Sequence, residues 1–396
     1  SLPDDILHLL CEELANQAAF DTLFNCACAS RALAIPALTH LYRAHHLAPV
    51  RGGGEDETVL LATKQLMVQK WSILWRSIIA SSLDKTLFPY CKYIKTLDFR
   101  DLDNLLQDDY FKDATRRQFF SEPLKRFYLT VETPLRRSGR KYERLNNTGI
   151  IDAIGEVATQ HTPMLESISG KLLSHALVRW APRLPRLQSL ELYDGEPLED
   201  ELVHASIYEH CPQFNSLSIY TWYKRFTDER DHKLAKFIET IRPQTLRMIE
   251  TISDIGAGAE TFLALNGHSQ SLKDLRLCIS TDSLPHLALL KGCTNLDSLR
   301  VEDIHGTTNI EKTQNDVFLE MIGWLRQCED LRRLSFTKLQ SSSGIVASVL
   351  LEDRVKLQKL EIDHYICKDS QLLHQALINQ RNSLQFLSLS GDTDAM

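Results

Sequence analysis

The stretch Leu272-Lys273-Asp274-Leu275-Arg276-Leu277 decides the fold, because its spacing of apolar residues recurs along most of the chain. Clear copies of this hexad lie at Leu187/Leu190/Leu192, Phe214/Leu217/Ile219, Leu296/Leu299/Val301, Leu331/Leu334/Phe336, Leu357/Leu360/Ile362 and Leu384/Leu387/Leu389. Less complete copies lie at Ile94/Leu97/Phe99, Leu124/Phe127/Leu129, Leu165/Ile168 and Leu246/Ile249. About eleven copies, mostly roughly 22–35 residues apart, predict an array of repeats.

Each hexad predicts a strand with one buried face, because its last two apolar residues alternate with polar ones. Amphipathic helices are predicted between hexads, for example over Asp316–Gln327 and Gln371–Asn379. One such unit is too small to bury its own apolar face, so neighbouring units must stack. We therefore predict an α/β fold in which residues 91–396 form a curved solenoid, with parallel strands inside and helices outside.

Cysteine recurs at one place in the repeats. Cys211, Cys293 and Cys328 each lie three residues before the first apolar residue of a hexad. A small apolar thiol suits the tight turn from helix to strand. The pattern resembles the cysteine-containing class of leucine-rich repeats. Because the sequence has no Cys-x-x-Cys pair, we expect packing thiols and neither a metal nor a cofactor.

Residues 1–43 do not follow the repeat and predict a three-helix module. Ile6, Leu7, Leu10 and Leu14 recur at helical spacing after Pro3, a residue favoured in a first helical turn. Breaks follow at Asn16-Gln17 and before a third apolar segment that contains Pro36 and Leu41.

This module resembles the F-box. Leu2-Pro3-Asp4-Asp5-Ile6-Leu7 is similar to the family's opening motif, Cys28-Ala29-Ser30-Arg31 is similar to its central motif, and Leu41-Tyr42 stands where Leu-Trp is frequent. Leu33 departs from the pattern, since tryptophan is common there. The resemblance implies docking on a Skp adaptor, which links F-box proteins to a cullin-RING ubiquitin ligase. The residues that it implies as adaptor-binding are Leu2, Pro3, Ile6, Leu7, Leu10, Leu23 and Ala27. The alternative is a helical cap, which repeat arrays also need.

Residues 44–90 are interpreted as a linker and a capping helix. Arg51-Gly52-Gly53-Gly54-Glu55 is a flexible break, and a long helix is predicted over 59–83. Its Trp71 and Trp75, four residues apart, are expected in the core. Together with Tyr90–Ile94, this segment is similar to a pattern in filamentous-fungal F-box proteins.

The strand residues that alternate with the buried ones are expected to line the inner, concave face of the solenoid and to bind a protein substrate. The set is mostly polar, and Tyr and Arg are the residue types that dominate interface energetics. The predicted substrate-binding residues are Tyr128, Tyr193, Tyr220, Arg276, Arg300, Glu302, Arg333 and Glu361.

Composition narrows the class of function. The net charge of -7 argues against a general nucleic-acid binder, and no apolar run reaches the roughly 18 residues needed to span a bilayer. Nine scattered cysteines, an odd number, indicate reduced thiols in the cytoplasm or nucleus. The sequence contains no hydrolase, nucleotide-binding or zinc-protease motif.

Three hypotheses follow. The first is a non-enzymatic, substrate-recognition subunit of a Skp-cullin-F-box ubiquitin ligase. The second is a leucine-rich-repeat scaffold or regulator that binds proteins without a role in ubiquitin transfer. The third, least favoured, is an enzyme with its own catalytic cysteine, for which no cysteine has an evident basic or histidine neighbour that would favour a thiolate.

Overall fold

The computed structural model describes residues 2–47, 60–134, 141–222, 227–306, 308–352, 354–365 and 370–391. The chain divides into two compact units, Ser1–Leu187 and Gln188–Met396. Each unit combines helices with parallel strands, which confirms the predicted α/β class. The predicted break at Arg51–Glu55 lies outside the described residues, and the division at residues 43 and 90 stays a prediction.

Three helices open the first unit: α1 (Asp4–Asn16), α2 (Phe20–Ala29) and α3 (Arg31–Arg43). Pro3 precedes α1, and the carboxylates of Asp4 and Asp5 lie in its first turn, where the helix dipole favours negative charge. Ser30 caps α3 by accepting a hydrogen bond from the backbone N–H of Leu33. The three helices pack around a small core formed by Cys11, Ala15, Leu23 and Ala37.

The described part of the first unit continues with five helices, one pair of parallel strands and one pair of antiparallel strands. The helices are α4 (Leu61–Ser81), α5 (Phe99–Gln107), α6 (Asp113–Phe119), α7 (Asn147–His161) and α8 (Ser174–Trp180), and the strands are β1 (Thr96–Asp98), β2 (Thr130–Pro134), β3 (Lys141–Leu145) and β4 (Ser167–Gly170). Strand β1 pairs in parallel with β4, and β2 pairs with β3 in the antiparallel direction. The predicted long helix corresponds to α4. Trp71 and Trp75 are buried, as expected for core residues.

Two hexads of this unit differ from the prediction. Leu97 lies in β1, but Phe99 already begins α5. Leu124/Phe127/Leu129 is not a repeat strand: a 3-10 turn covers Lys125–Phe127, and the chain then enters the antiparallel β2–β3 pair. Residues three apart lie on one side of a 3-10 turn, so the same apolar spacing buries Leu124 and Phe127 without a strand.

The second unit alternates strands with helical segments. In order they are β5 (Ser189–Asp194), α9 (Glu201–His210), β6 (Ser216–Thr221), α10 (Thr227–Thr240), β7 (Met248–Thr251), α11 (Ala259–Leu265), β8 (Asp274–Ile279), β9 (Ser298–Asp303), α12 (Ile310–Thr313), α13 (Asn315–Gln327), β10 (Arg333–Thr337), α14 (Ser342–Leu350), β11 (Lys359–Asp363), α15 (Gln371–Ile378) and β12 (Phe386–Ser390). Between β8 and β9 the α-helix is replaced by 3-10 turns over Leu284–Gly292.

The eight strands β5–β12 are parallel and adjacent in chain order. Their register aligns equivalent hexad positions, so that Leu275 pairs with Leu299, Leu299 with Leu334, and Leu334 with Leu360. These four leucines are at most 1% exposed. From β8 to β11 the repeated spacing therefore produces a continuous row of buried side chains, which is what makes equivalent strands stack. The prediction of burial is wrong for the last strand: Leu387 of β12, which pairs with Leu360, is 45% exposed because the described chain places no further strand beside β12.

Degenerate hexads still form strands. Ile168 lies in β4 and Ile249 in β7, and both are buried. In the described part of the chain, ten hexads contribute a strand, which is one fewer than the predicted eleven. The hexad at Leu124 accounts for the difference.

Candidate protein-binding surfaces

Helix α1 carries apolar side chains on two faces. Leu7 and Cys11 are buried, and Cys11 belongs to the core of the three helices, whereas Ile6, Leu9 and Leu10 lie on another face and are 40%, 58% and 50% exposed. Residues three and four apart share a helix face, which explains why these three lie together. An amphipathic helix that only caps a core does not need this second apolar face.

The structure divides the seven predicted adaptor-binding residues into an exposed group and a more buried group. Leu2, Pro3, Ile6 and Leu10 are exposed. Leu7 is buried, Leu23 lies in the core of the three-helix module and Ala27 packs against that core, so these three stabilise the fold. Helical spacing alone did not separate the two groups, because α1 is apolar on both sides.

Sequence analysis missed three exposed apolar residues of the same module. Leu9, Phe24 and Ile35 are each more than half exposed. We refer to these three residues together with Leu2, Ile6 and Leu10 as the apolar surface of α1–α3. In the sequence they resemble ordinary core positions, and only burial distinguishes them.

The three-helix module is attached to the rest of the first unit through Tyr42. Its hydroxyl hydrogen-bonds to Oγ of Ser77 on α4 over 2.8 Å, and its ring stacks on that of Tyr90 with 4.3 Å between centroids. Burial raises the pKa of Tyr42 well above its ordinary value, so the phenol stays neutral. The module is therefore packed onto the helix that follows it in sequence.

The second unit presents a polar sheet face, formed by the β5–β12 side chains that alternate with the buried row. Seven of the eight predicted substrate-binding residues lie on it: Tyr193, Tyr220, Arg276, Arg300, Glu302, Arg333 and Glu361. Tyr128 does not. It follows the 3-10 turn in the first unit, where its ring contacts Phe120 edge-on.

Aromatic and acidic groups mark the start of this face. The rings of Tyr193 and Tyr220 stack with centroids 5.9 Å apart, and the Tyr220 hydroxyl donates to Glu191 over 2.6 Å. Stacking and the hydrogen bond restrict both rings, so a partner that binds them loses little side-chain entropy in ordering them.

Ion pairs continue along the face. Arg276 donates to Asp274 over 2.8 Å and to Glu250 over 3.4 Å, and its hydrogen bond to Asp274 raises the pKa of Arg276. Glu302 accepts from Lys338 over 3.0 Å. Partly exposed pairs of this kind contribute little to stability, but they present fixed charges of both signs to a partner.

A depression of about 400 Å³ lies on the polar sheet face near its end. Its lining combines four hydroxyl residues with four charged ones: Ser335, Thr337, Ser388 and Ser390, and Arg300, Lys359, Glu361 and Asp363. Its chemistry suits a hydrophilic partner, since hydroxyls both donate and accept hydrogen bonds.

Four cysteines of the second unit are buried thiols. Cys211, Cys293 and Cys328 lie at the helix-to-strand turns as predicted, and burial raises the pKa of each to about 12. Burial also raises the pKa of Cys278 to about 11. At neutral pH these thiols are protonated, which makes them poor nucleophiles.

Known proteins give no direct indication of function. A scan against protein-family models and a search of curated proteins found no match for this chain. Among the described residues, no helix has the length and apolarity to cross a membrane. Nor do the described His, Cys, Asp and Glu side chains assemble a group of three or more able to hold a metal ion.

Proposed function

We propose that this chain is the substrate-recognition subunit of a Skp-cullin-F-box ubiquitin ligase and has no catalytic role of its own. Residues 2–43 serve as the F-box, and the hexad repeats serve as a leucine-rich-repeat solenoid that holds the substrate. The complex acts in the cytoplasm or nucleus. The observation that carries the proposal is the apolar surface of α1–α3, exposed on a module whose sequence resembles the F-box.

The exposed side chains match the part of the motif that the family uses for docking. Ile6, Leu9 and Leu10 lie on α1 and Leu2 precedes it, and all four are exposed apolar side chains that a partner can bury. Burying such side chains contributes about 1.5–3 kcal/mol each, so a few of them suffice for a specific complex.

Adaptor binding can be tested by co-expression with a Skp adaptor. We expect a stable one-to-one complex in size-exclusion chromatography with light scattering. Ile6→Asp combined with Leu10→Asp should abolish it, because a carboxylate cannot be buried unpaired at little cost. The matched control is Leu202→Asp combined with Leu263→Asp, which changes two exposed leucines of the second unit. If wild type ignores the adaptor, the ligase function is excluded.

Substrate binding is proposed for the polar sheet face. Its ion pairs and stacked tyrosines support this, because rigid aromatic and arginine side chains are the usual anchors of protein interfaces. Affinity capture with the proteasome blocked should recover a substrate with wild type. Recovery should fail after Arg300→Glu combined with Arg333→Glu, while adaptor binding persists. Substrate retained by this variant would contradict the assignment of the face.

A second function, a scaffold or regulator without ubiquitin transfer, is favoured by one observation. The contacts of Tyr42 with Ser77 and Tyr90 are those of a cap as well as those of a docking module. Deleting residues 1–43 discriminates between the two. If residues 1–43 are a scaffold cap, the first unit should unfold when they are removed. If they are a docking module, the shortened chain should stay folded but should no longer bind the adaptor.

A further inference from the structure

A groove of about 710 Å³ in the second unit lies at the amino-terminal ends of the strands β6–β8, beside Gln188 at the start of β5. Its exposed lining includes two cations, Arg247 and Lys273, and the amides of Gln213, Gln244 and Gln270. The described lining contains no carboxylate, although the chain as a whole has a net charge of -7. The groove lining is therefore locally basic on an acidic protein. Nζ of Lys273 also lies 3.9 Å from the exposed carboxylate of Asp330, and such an exposed ion pair is weak enough for a ligand carboxylate to compete with it.

Two backbone carbonyl oxygens of the groove already accept hydrogen bonds within the protein. The carbonyl oxygen of Asn215 accepts hydrogen bonds from the N–H groups of Arg247 and Met248 over 2.7 and 3.1 Å. The carbonyl oxygen of Arg247 likewise accepts from Lys273 and Asp274 over 2.8 and 3.0 Å. Since a carbonyl oxygen has two lone pairs, neither has one left for a ligand.

The side-chain amides are also oriented with their oxygens inward. Oε1 of Gln244 accepts from the backbone N–H of Gln270 over 2.8 Å. Oε1 of Gln270 accepts from Nδ2 of Asn295 over 2.9 Å, and the same Nδ2 donates to the Gln270 carbonyl, which fixes the orientation of both amides. Within the described residues, the NH₂ groups of Gln244 and Gln270 donate no hydrogen bond, and both side chains are exposed.

The groove thus offers two cations and the NH₂ groups of Gln244 and Gln270, whereas the amide oxygens of these two glutamines and the carbonyls of Asn215 and Arg247 are occupied. We propose that it binds an extended acidic polypeptide segment, whose carboxylates pair with Arg247 and Lys273 and whose backbone carbonyls accept from the glutamine NH₂ groups. Neighbouring strands lie about 4.8 Å apart, so β5–β8 span roughly 14 Å, which is the length of about four extended residues. The proposal rests on the proposed function only in taking this segment as part of the ubiquitin-ligase substrate.

The test measures fluorescence anisotropy of the full chain with labelled twelve-residue peptides of alternating Glu and Ser, Gln and Ser, or Lys and Ser. Only the Glu peptide should bind, and more weakly as salt increases. Arg247→Glu combined with Lys273→Glu should weaken binding at least roughly tenfold, since reversed charges repel the ligand. Lys291→Glu combined with Arg381→Glu makes the same charge change at exposed positions outside the groove lining and should leave binding unchanged.

Isosteric substitutions test the glutamines with the cations left in place. Gln244→Glu and Gln270→Glu keep the oxygens that accept internal hydrogen bonds, but they replace each NH₂ group by a second oxygen and add a negative charge, so their effect combines the loss of a donor with charge repulsion. Each should weaken binding of the Glu peptide several-fold, whereas Gln385→Glu, at an exposed position elsewhere, should not.

Three outcomes would overturn the proposal: equal binding of the Gln and Glu peptides, an equal effect of the control pair, or tighter binding of a single-stranded oligonucleotide than of the Glu peptide. The last would identify a nucleic-acid site. Failure of the proposed function is recognised separately, because the groove variants should still form the adaptor complex through α1.

Discussion

The indole N–H of Trp75 donates a hydrogen bond to Oδ2 of Asp101 over 2.7 Å, and both side chains are buried. Trp71, one turn earlier on α4, donates to the same oxygen over 2.9 Å. One carboxylate of α5 therefore satisfies two buried indoles. Because α5 follows β1 directly, this pair of bonds ties the long helix to the first strand of the hexad series.

Removing this carboxylate should destabilise the first unit. Asp101→Ala leaves two buried N–H groups without an acceptor, which we expect to lower the free energy of unfolding by roughly 3–5 kcal/mol. Asp101→Asn retains one acceptor oxygen and should lose less. Urea unfolding followed by tryptophan fluorescence measures the effect, and Asp109→Ala, an exposed carboxylate nearby, should stay within about 0.5 kcal/mol of wild type. A negligible loss in Asp101→Ala would contradict the shared role of its oxygen.

Substitutions on the two faces of α1 should have different effects: those on the buried face should lower stability, and those on the exposed face should weaken adaptor binding. Leu7→Ala leaves a cavity at a buried position and should cost about 2–4 kcal/mol. Leu10→Ala, at a position that is 50% exposed, should change stability by less than about 0.5 kcal/mol yet weaken adaptor binding. Thermal unfolding and titration calorimetry against the adaptor check the pair. Equal stability losses in both variants would mean that Leu10 is also a core residue.

Buried thiols should make the chain sensitive to alkaline pH. The pKa of Cys328 is raised from 9.0 to about 12, so between these values the unfolded chain loses the thiol proton while the folded chain keeps it. The stabilising contribution is fully present below pH 9 and is lost as the pH rises toward 12, at about 1.4 kcal/mol per pH unit for one thiol. The measurement is the slope of unfolding free energy against pH between 9 and 10.5.

Cys328→Ala should reduce that slope by the contribution of one thiol, which is about 1.4 kcal/mol per pH unit. Cys28→Ala removes an exposed cysteine and serves as the control that leaves the slope unchanged. Identical slopes in both variants would show that Cys328 ionises in the folded protein.

His268 should make the second unit sensitive to mild acid. Its Nε2 donates to the Ile238 carbonyl over 3.1 Å and its Nδ1 accepts from the N–H of Leu246 over 3.4 Å, which holds the ring neutral. Burial lowers the pKa of His268 below 6.5. The unfolded chain binds the proton first, so stability that is present above pH 6.5 is lost as the pH falls.

Chemical unfolding at pH 7 and pH 5 checks this expectation. The loss of stability between the two values should be smaller in His268→Gln than in wild type. His305→Gln, at an exposed histidine, should behave like wild type. An unchanged loss in His268→Gln would mean that other groups account for the acid sensitivity.

Several elements were predictable because local spacing and burial agree. The hexads at Leu275, Leu299 and Leu334 form strands with these leucines inside, and Cys211 and Cys293 are buried at the predicted turns. Apolar residues at every second position make one face of a strand apolar. That face is removed from water when equivalent strands stack side by side.

The spacing of apolar residues led to a wrong prediction where it is compatible with two kinds of local structure. Leu124 and Phe127 are three residues apart, which fits a 3-10 turn as well as a hexad, and the chain there turns into a hairpin instead of a parallel strand. Tyr128 was therefore assigned to the wrong surface. The choice depends on the residues that follow and on the packing around them, neither of which the hexad contains.

The sequence by itself determined the α/β class, the series of parallel strands and the polar side chains between their buried leucines, because these depend on periodicities only a few residues long. Tertiary structure alone decided that Leu7 is inside and Leu10 outside, and that Gln244 and Gln270 turn their NH₂ groups toward a groove. Those choices depend on which atoms of distant segments lie within contact or hydrogen-bond distance, and no local pattern encodes that distance.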